Sequence, residues 1–279
     1  MQESATHPLN IVVLVKHVPD AQFDRHLTGP GHTLNRAESI LSELDEYALE
    51  AALQLAEARG GESAGNRVTA LAMGPAAAVN AVKKSLQIGA YAGVHLADDA
   101  LAGSDAAGTS LALAAAVRAI AESQGPVDLV ITGMASTDGE TSLVPAQLAE
   151  RLQLAQVTFA SELDVVDVDG APVVKARRDG DSFTETVEAP LPALVSVTDQ
   201  ANSPRYPNFK GIMAAKKKPV TVLTLAEIGV DPAQVGHDGA WTAVAASAPR
   251  PPRSQGTIIT DDGTAGVQLV DYLAAQKLI

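Results

Sequence analysis

The chain has 279 residues, a formal net charge of −13 and no cysteine, and its length suffices for one large or two modest domains with a full core. The lack of cysteine excludes disulfides and thiolate-ligated metal sites, and the acidic balance disfavours a nucleic-acid-binding protein, which needs a broad basic face. No apolar run approaches the roughly 18 residues of a membrane span and the polar residues 1–8 lack a signal-peptide core, so we expect a cytoplasmic protein without membrane insertion.

Strand and helix patterns alternate through the first half of the chain. Continuous apolar, β-branched runs predict buried strands at Asn10 to Lys16, Arg67 to Met73, Tyr91 to Leu96 and Leu129 to Thr132. Helices are predicted between and after them, from Ser42 to about Gly60, from Gly74-Pro75 to about Ile88, from Ser104 to about Ser123 and from about Pro145 to Leu152. Ser42 and Ser104 are the predicted N-caps, and Pro19 with Gly29-Pro30-Gly31 predicts a long loop after the first strand.

This alternation predicts a doubly wound α/β fold with a mostly parallel sheet. Ligands of such folds bind beyond the carboxyl ends of the strands. The expected site loops therefore follow Lys16, Met73, Leu96 and Thr132.

The pattern changes after Gln156. Val165 to Val168 and Pro172 to Ala176 flank Asp169-Gly170, which predicts a hairpin with a tight turn. A second strand pair is predicted at Ser182 to Glu188 and Ala193 to Thr198, so that antiparallel strands extend one edge of the sheet. A strand at Val220 to Leu225 closes a domain of residues 1–225. Residues 226–279 are predicted to form an extended arm ending in a short helix at Asp271 to Ile279, because they cannot close a core of their own.

Residues 202–219, the cationic loop, carry five of the twenty Lys and Arg residues of this acidic chain. Prolines and Gly211 favour a turn-rich first half, and Ile212 to Lys218 is predicted to be a short helix. The lysines alone would suit a solvated helix end. Because the large aromatic Phe209 stands beside these charges, we favour a surface that docks a protein partner.

The run from Asn202 to Lys218 reads N-x-P-R-Y-x-x-x-x-x-I-M-x-A-K-K-K and resembles the signature of the beta subunit of electron transfer flavoprotein. The resemblance implies that this loop grips partner dehydrogenases. Phe209 stands at the apolar anchor position, where the family most often has leucine. The implied partner contacts are Arg205, Tyr206, Phe209, Ile212, Met213, Lys216, Lys217 and Lys218.

A loop rich in hydroxyls, glycines and acids, residues 133–143, lies between a predicted strand and a helix N-terminus, where backbone N–H groups can bind phosphate. The pattern alone is more typical of a polar connecting loop, and the sequence has no Walker or G-x-G-x-x-G motif. The resemblance implies that this loop, with matching positions at three other element ends, binds AMP. Asp179 matches a family glutamate near the flavin. The implied cofactor contacts are Leu14, Ser42, Glu43, Leu44, Asp45, Met73, Thr132, Gly133, Met134, Ala135, Ser136, Thr137, Asp138, Gly139, Glu140, Thr141, Ser142, Leu143, Val144 and Asp179.

No catalytic constellation is evident, because the histidines lack metal-ligand spacing and no G-x-S-x-G elbow occurs. The resemblance implies a heterodimeric electron carrier whose arm packs on the alpha subunit, with structural AMP in this chain. Electrons from acyl-CoA and related flavoprotein dehydrogenases of fatty-acid or amino-acid oxidation would reach FAD held mainly by the alpha subunit, and then a quinone oxidoreductase. Two alternatives stay open: an electron-bifurcating form with a second FAD in this chain, and a free-standing adenine-nucleotide-binding protein.

Overall fold

The computed structural model describes residues 7–29, 32–248, 250–253 and 255–279. The chain forms two compact units, Met1–Ala245 and Ala246–Ile279. Pro30 and Gly31, which belong to the predicted loop after the first strand, lie outside the described residues.

The described residues contain thirteen strands and seven α-helices. The strands are β1 (Asn10–Leu14), β2 (His17–Pro19), β3 (Leu27–Thr28), β4 (Thr33–Leu34), β5 (Ser39–Leu41), β6 (Arg67–Met73), β7 (Ala92–Leu96), β8 (Leu129–Gly133), β9 (Ala155–Val168), β10 (Ala171–Asp179), β11 (Thr184–Pro190), β12 (Ala193–Val197) and β13 (Val220–Leu223). The helices are α1 (Glu43–Ala58), α2 (Val79–Ile88), α3 (Ala106–Gln124), α4 (Val144–Leu152), α5 (Phe209–Ala215), α6 (Gly236–Gly239) and α7 (Ala265–Ala275).

One sheet of nine described strands runs in the order β11-β10-β9-β12-β8-β1-β6-β7-β13. All neighbours from β9 to β13 in this order are parallel. The chain leaves β1 toward β6 and β7 and then returns to the opposite side of β1 with β8. The doubly wound, mostly parallel α/β fold predicted from the sequence is thereby confirmed. Its switch point lies between β1 and β8, where open α/β sheets bind their ligands.

Helices cover both faces of the sheet. Helices α1 and α2 pack with Ile11 and Val13 of β1, whereas α3 and α4 pack with Val12 of the same strand. Successive strand residues point to opposite faces, so a strand covered on both sides needs the unbroken apolar run seen in β1.

The antiparallel edge consists of β9, β10 and β11. Asp169 and Gly170 both have positive φ in the predicted tight turn between β9 and β10. One expectation is wrong: β12 does not pair with β11, but lies parallel between β9 and β8. Its five residues are all buried, and an interior parallel position accommodates such a strand better than an edge.

Several predicted helix boundaries are also corrected. The Ser42 side chain makes no capping bond to α1, and Asp105 rather than Ser104 caps α3 by accepting from the Gly108 backbone N–H at 3.0 Å. The Ser104 hydroxyl instead donates to the Leu101 carbonyl. The loop predicted after β1 contains the short strands β2 to β5, which pair in two small sheets.

Two further helices differ from prediction. Helix α5 begins at Phe209, three residues earlier than predicted, because the Asn208 side chain caps it by accepting from the Gly211 N–H at 2.8 Å. It ends before the lysine run, which therefore follows the helix. Helix α7 begins at Ala265 and ends at Ala275, since the apolar pattern starts earlier than the predicted Asp271. In its own unit, α7 exposes Val267, Leu269, Val270 and Tyr272.

Candidate functional site

A cavity of about 470 Å³ opens at the carboxyl ends of the parallel strands, beside the switch point. This volume lies within the range of sites that hold small ligands. The segments that follow β1, β6, β7 and β8 all contribute to its wall, as the strand pattern predicts. The predicted cofactor contacts that line the cavity are Leu14, Asp45, Met73, Thr132, Gly133, Ala135, Ser136, Thr141, Ser142 and Val144.

The other predicted cofactor contacts lie outside the cavity wall. They are Ser42, Glu43, Leu44, Met134, Thr137, Asp138, Gly139, Glu140, Leu143 and Asp179. Some of these support wall residues, and Asp138 is the clearest example.

Asp138 ties the loop after β8 to two other segments. Its carboxylate accepts from Lys16 Nζ at 3.0 Å and from Arg36 Nη2 at 2.6 Å, and its side chain is only 2% exposed. Burial by itself would raise the pKa of the Asp138 carboxyl, but Lys16 and Arg36 hold it well below its usual range. Both cations of the cavity wall are therefore already paired, and an anionic ligand would depend mainly on backbone N–H groups.

Asp45 stands where the start of α1 meets the ends of two strands. Its carboxylate accepts from the Lys16 backbone N–H at 2.8 Å. Burial raises the pKa of Asp45 to about 7, against the hydrogen bond from Lys16. A Cβ on Gly133 would lie 2.9 Å from Asp45 Oδ1 and 2.8 Å from the Leu44 carbonyl oxygen. Glycine at 133 thus allows β8 and α1 to approach closely at the cavity floor.

The N-terminus of α4 adjoins the cavity and suits a phosphate. Its capping position, Leu143, supplies no side-chain cap, so the first N–H groups of the helix have no partner within the helix. Val144 and Pro145 of its first turn line the cavity. Just before it, Ser142 lines the cavity and has positive φ, a backbone form that occurs in concave anion-binding turns. The residues present therefore fit a nucleoside monophosphate, with its phosphate on backbone donors.

Part of the cavity wall was missed by the sequence reasoning. Thr33, Leu34 and Arg36 line the cavity from the segment between β1 and α1. This segment is fastened to the loop after β8, since Arg25 donates to the Thr137 carbonyl and Arg36 to Asp138. A segment of very short strands has no periodicity to reveal it. The sequence offered one indication. The segment between β1 and α1 starts at the carboxyl end of a parallel strand, where ligands of such folds bind.

Asp179 lies away from this cavity, at the end of β10. It accepts from Arg177 Nε at 2.9 Å and from the Thr184 hydroxyl at 2.8 Å. A hydrogen bond from the Ser161 hydroxyl of β9, together with those from Thr184 and Arg177, holds the pKa of Asp179 below its ordinary value. In this structure the carboxylate is thus engaged by neighbours within the antiparallel edge of the sheet.

The cationic loop presents an apolar surface. Phe209 is 80% exposed and Tyr206 is 89% exposed. Ile212 and Met213 are also exposed on α5. Lys216 and Lys217 are exposed, whereas Lys218 donates to three backbone carbonyls near the end of α2.

Two kinds of site are not found in the described part of the chain. No cluster of three or more histidine and carboxylate residues there could hold a metal ion. None of the helices described there is both long and apolar enough to cross a membrane.

The chain is similar to proteins of one family. The model of the Electron transfer flavoprotein domain matches residues 32–228. Electron transfer flavoprotein subunit beta of Mycobacterium tuberculosis is 47% identical over 272 residues, which cover 97% of this chain and 99% of that protein. The subunit of the same name from Megasphaera elsdenii is 33% identical over 279 residues, with 97% and 100% covered. Protein FixA of Azorhizobium caulinodans is 35% identical over 238 residues, with 85% and 83% covered.

Proposed function

Since this chain belongs to the electron transfer flavoprotein family, as a beta subunit, we propose that it pairs with an alpha subunit to carry electrons from flavoprotein dehydrogenases to a quinone oxidoreductase. The observation that carries the proposal is 47% identity over 97% of the chain to a protein of that name. The donors we propose are dehydrogenases of the acyl-CoA type. The reaction itself belongs to FAD, which supplies one- and two-electron transfer when bound, mainly by the alpha subunit. We place the carrier in the cytoplasm.

AMP is the ligand we propose for the cavity beside the switch point. Thr141, Ser142 and the first turn of α4 would hold its phosphate, and the apolar wall formed by Leu14, Met73 and neighbouring side chains would hold the base. Support comes from the uncapped start of α4 and from the volume of the cavity, about 470 Å³. AMP has a structural role in this proposal, because the Lys16 amine, which lies 3.5 Å from the Ser136 hydroxyl, is paired with Asp138 and is not a free base.

Dehydrogenases dock, in our proposal, on the cationic loop. The exposed Phe209 and Tyr206 offer large apolar contact areas, and such aromatic anchors commonly dominate binding energy. Lys216 and Lys217 add positive charge beside them, which would steer an acidic partner surface. Electrons then pass to the FAD within the docked complex.

Within the predicted arm of residues 226–279, Val230 and Val235 lie in the core of the first unit. The part that the alpha subunit is proposed to receive is therefore residues 246–279. Helix α7 exposes Val267, Leu269, Val270 and Tyr272. An exposed apolar helix of this kind suits burial in a subunit interface. The carrier is therefore expected to be a stable heterodimer.

The first experiment is to co-express the chain with its alpha subunit, purify the complex and count the released nucleotides by chromatography and absorbance. One FAD and one AMP per heterodimer, with reduction of the FAD by an acyl-CoA dehydrogenase and its substrate, is the expected result. If two FAD per heterodimer are released, the ligand of this chain would be a second FAD and not AMP, which would indicate electron bifurcation. Failure to form a complex would overturn the carrier proposal in favour of a free-standing nucleotide-binding protein.

A further inference from the structure

We propose that Arg205, Glu50 and Glu57, which we call the Arg205 cluster, hold the cationic loop so that Phe209 is fixed in the orientation required for docking. Arg205, which the family resemblance implies to be a partner contact, is then a positioning residue that acts through the loop and does not itself contact the dehydrogenase. This inference rests on the proposed function and extends it to two residues of α1 that are far from the loop in sequence.

The start of the loop is fastened to α1 by Arg205. Its Nε and Nη2 lie 2.7 and 2.9 Å from the two carboxylate oxygens of Glu50, so the pair is bidentate. Its Nη1 and Nη2 lie 2.6 and 2.9 Å from the oxygens of Glu57. The Arg205 backbone N–H also lies 3.2 Å from Glu50 Oε2. One guanidinium thus forms bidentate ion pairs with two carboxylates, an arrangement that a lysine ammonium cannot reproduce.

Removing one partner of this cluster should cost more than breaking an ordinary surface ion pair, because it leaves a buried carboxylate unpaired. The Glu50 side chain is only 5% exposed, whereas that of Arg205 is 34% exposed. Burial alone would raise the pKa of Glu50, but its hydrogen bonds from Arg205 lower it below the ordinary value. Glu57 lies two turns further along α1 on the same face and is 51% exposed. A buried bidentate pair therefore sets the position of Arg205, and Glu57 restricts its remaining freedom.

The far end of the loop is fastened to α2. Lys218 Nζ lies 3.1 Å from the Leu86 carbonyl oxygen, 3.2 Å from that of Gly89 and 2.6 Å from that of Ala90. These groups lie at the C-terminus of α2, where a cation is favoured by the helix dipole. Between the two ends, Gly211 of α5 packs so closely on α2 that a Cβ would lie 2.5 Å from the Gln87 carbonyl oxygen.

These contacts fix the backbone on both sides of Phe209 while the ring itself remains 80% exposed. Ordering a mobile loop on binding reduces affinity, and a loop that is already ordered avoids this loss. The large exposed ring needs such support, because its own contacts within the chain do not hold it. Weakening the Arg205 cluster should therefore reduce docking and leave electron transfer within the docked complex unchanged.

The test is a double-mutant cycle in the complex with the alpha subunit, with an acyl-CoA dehydrogenase and its acyl-CoA substrate as the probe. KM and kcat for the complex as electron acceptor are measured for Phe209→Ala, Arg205→Ala and the double variant. Glu57→Gln and Arg205→Lys are included because Arg205→Ala leaves the buried Glu50 unpaired. Lys175→Ala is the matched control, since Lys175 forms an exposed ion pair with Glu188 on the β10–β11 hairpin.

We expect Arg205→Ala to raise KM roughly 3- to 30-fold, with kcat and FAD content unchanged. Arg205→Lys and Glu57→Gln should raise KM by smaller factors, and Lys175→Ala should leave it unchanged. The effects of Arg205→Ala and Phe209→Ala should not multiply, because each removes the same positioned contact. If Arg205→Ala does not fold, the same comparison made with Glu57→Gln decides the matter.

Effects of Arg205→Ala and Phe209→Ala that multiply would overturn the inference, because Arg205 would then act independently of Phe209. An unchanged KM in the Arg205 and Glu57 variants would also overturn it, with the proposed function intact as long as Phe209→Ala raises KM. An unchanged KM in Phe209→Ala itself would reject the docking part of the proposed function, and the inference with it.

Discussion

Arg36 Nη2 lies 2.6 Å from Asp138 Oδ2, which joins the segment between β1 and α1 to the loop after β8. Lys16 Nζ lies 3.0 Å from the other carboxylate oxygen of Asp138. Three separate parts of the chain thus converge on one buried carboxylate behind the cavity wall. The shape of the cavity depends on this ion-pair cluster, even though Asp138 is not part of the wall.

Replacing Asp138 with asparagine should loosen the cavity wall. The amide cannot neutralise Lys16 and Arg36, so we expect the free energy of unfolding to fall by about 1–3 kcal/mol and nucleotide to be lost on purification. Denaturant titration and counting of released nucleotide measure the two effects. Because the pKa of Asp138 is depressed, its stabilisation is present above the unfolded pKa of about 3.9 and is lost as the pH falls. Unchanged nucleotide content in Asp138→Asn would contradict the prediction.

Asp45 should make stability depend on pH in the opposite sense. Its folded pKa of about 7 is above the unfolded value, so its contribution is present at low pH and is lost between about pH 4 and pH 7. The slope is at most about 1.4 kcal/mol per pH unit. Asp45→Asn should remove that slope. Denaturant titrations at several pH values check this.

The comparison with Asp45→Asn is needed because His17 opposes the effect. Burial lowers the pKa of His17, so its contribution rises with pH just below about 6.5. Both chains share that term, and it cancels in their difference. An identical pH slope in the two chains would show that Asp45 is already ionised throughout the range.

Gly133→Ala should destabilise the site end of the sheet. The added Cβ would lie 2.8 Å from the Leu44 carbonyl oxygen, a backbone atom that cannot turn away. We expect a loss of about 1–3 kcal/mol, measured by thermal unfolding. Gly256→Ala is the control, because a Cβ there meets nothing within 4 Å. Equal stabilities of the two variants would argue against close packing of β8 on α1.

The three consecutive lysines should separate into two roles. Lys218→Ala removes the contacts with the end of α2 and should lower Tm by about 2–4 °C. Lys216→Ala and Lys217→Ala should leave Tm unchanged but slow association with a dehydrogenase at low salt. Thermal unfolding and stopped-flow reduction at two salt concentrations make the comparison. The assignment fails if Lys218→Ala is as stable as the other two variants.

The sequence alone determined the alternation of strands and helices. That alternation also predicted that a ligand cavity lies at the carboxyl ends of the parallel strands. The reason is that a strand covered on both faces needs an unbroken apolar run, and runs such as Ile11 to Leu14 have no other common explanation. The residue pattern around Arg205 and Phe209 likewise indicated the family, and full-length similarity confirms that assignment.

Only the tertiary structure decided which side chains meet. Arg36 and Asp138 are 102 residues apart and Arg205 and Glu50 are 155 apart, so no local periodicity could pair them. The position of β12 inside the sheet, and the capping of α3 by Asp105 instead of Ser104, also depend on neighbours supplied from elsewhere in the chain. Local patterns specify what each segment prefers, whereas ion pairs and strand neighbours follow from the distances that folding creates.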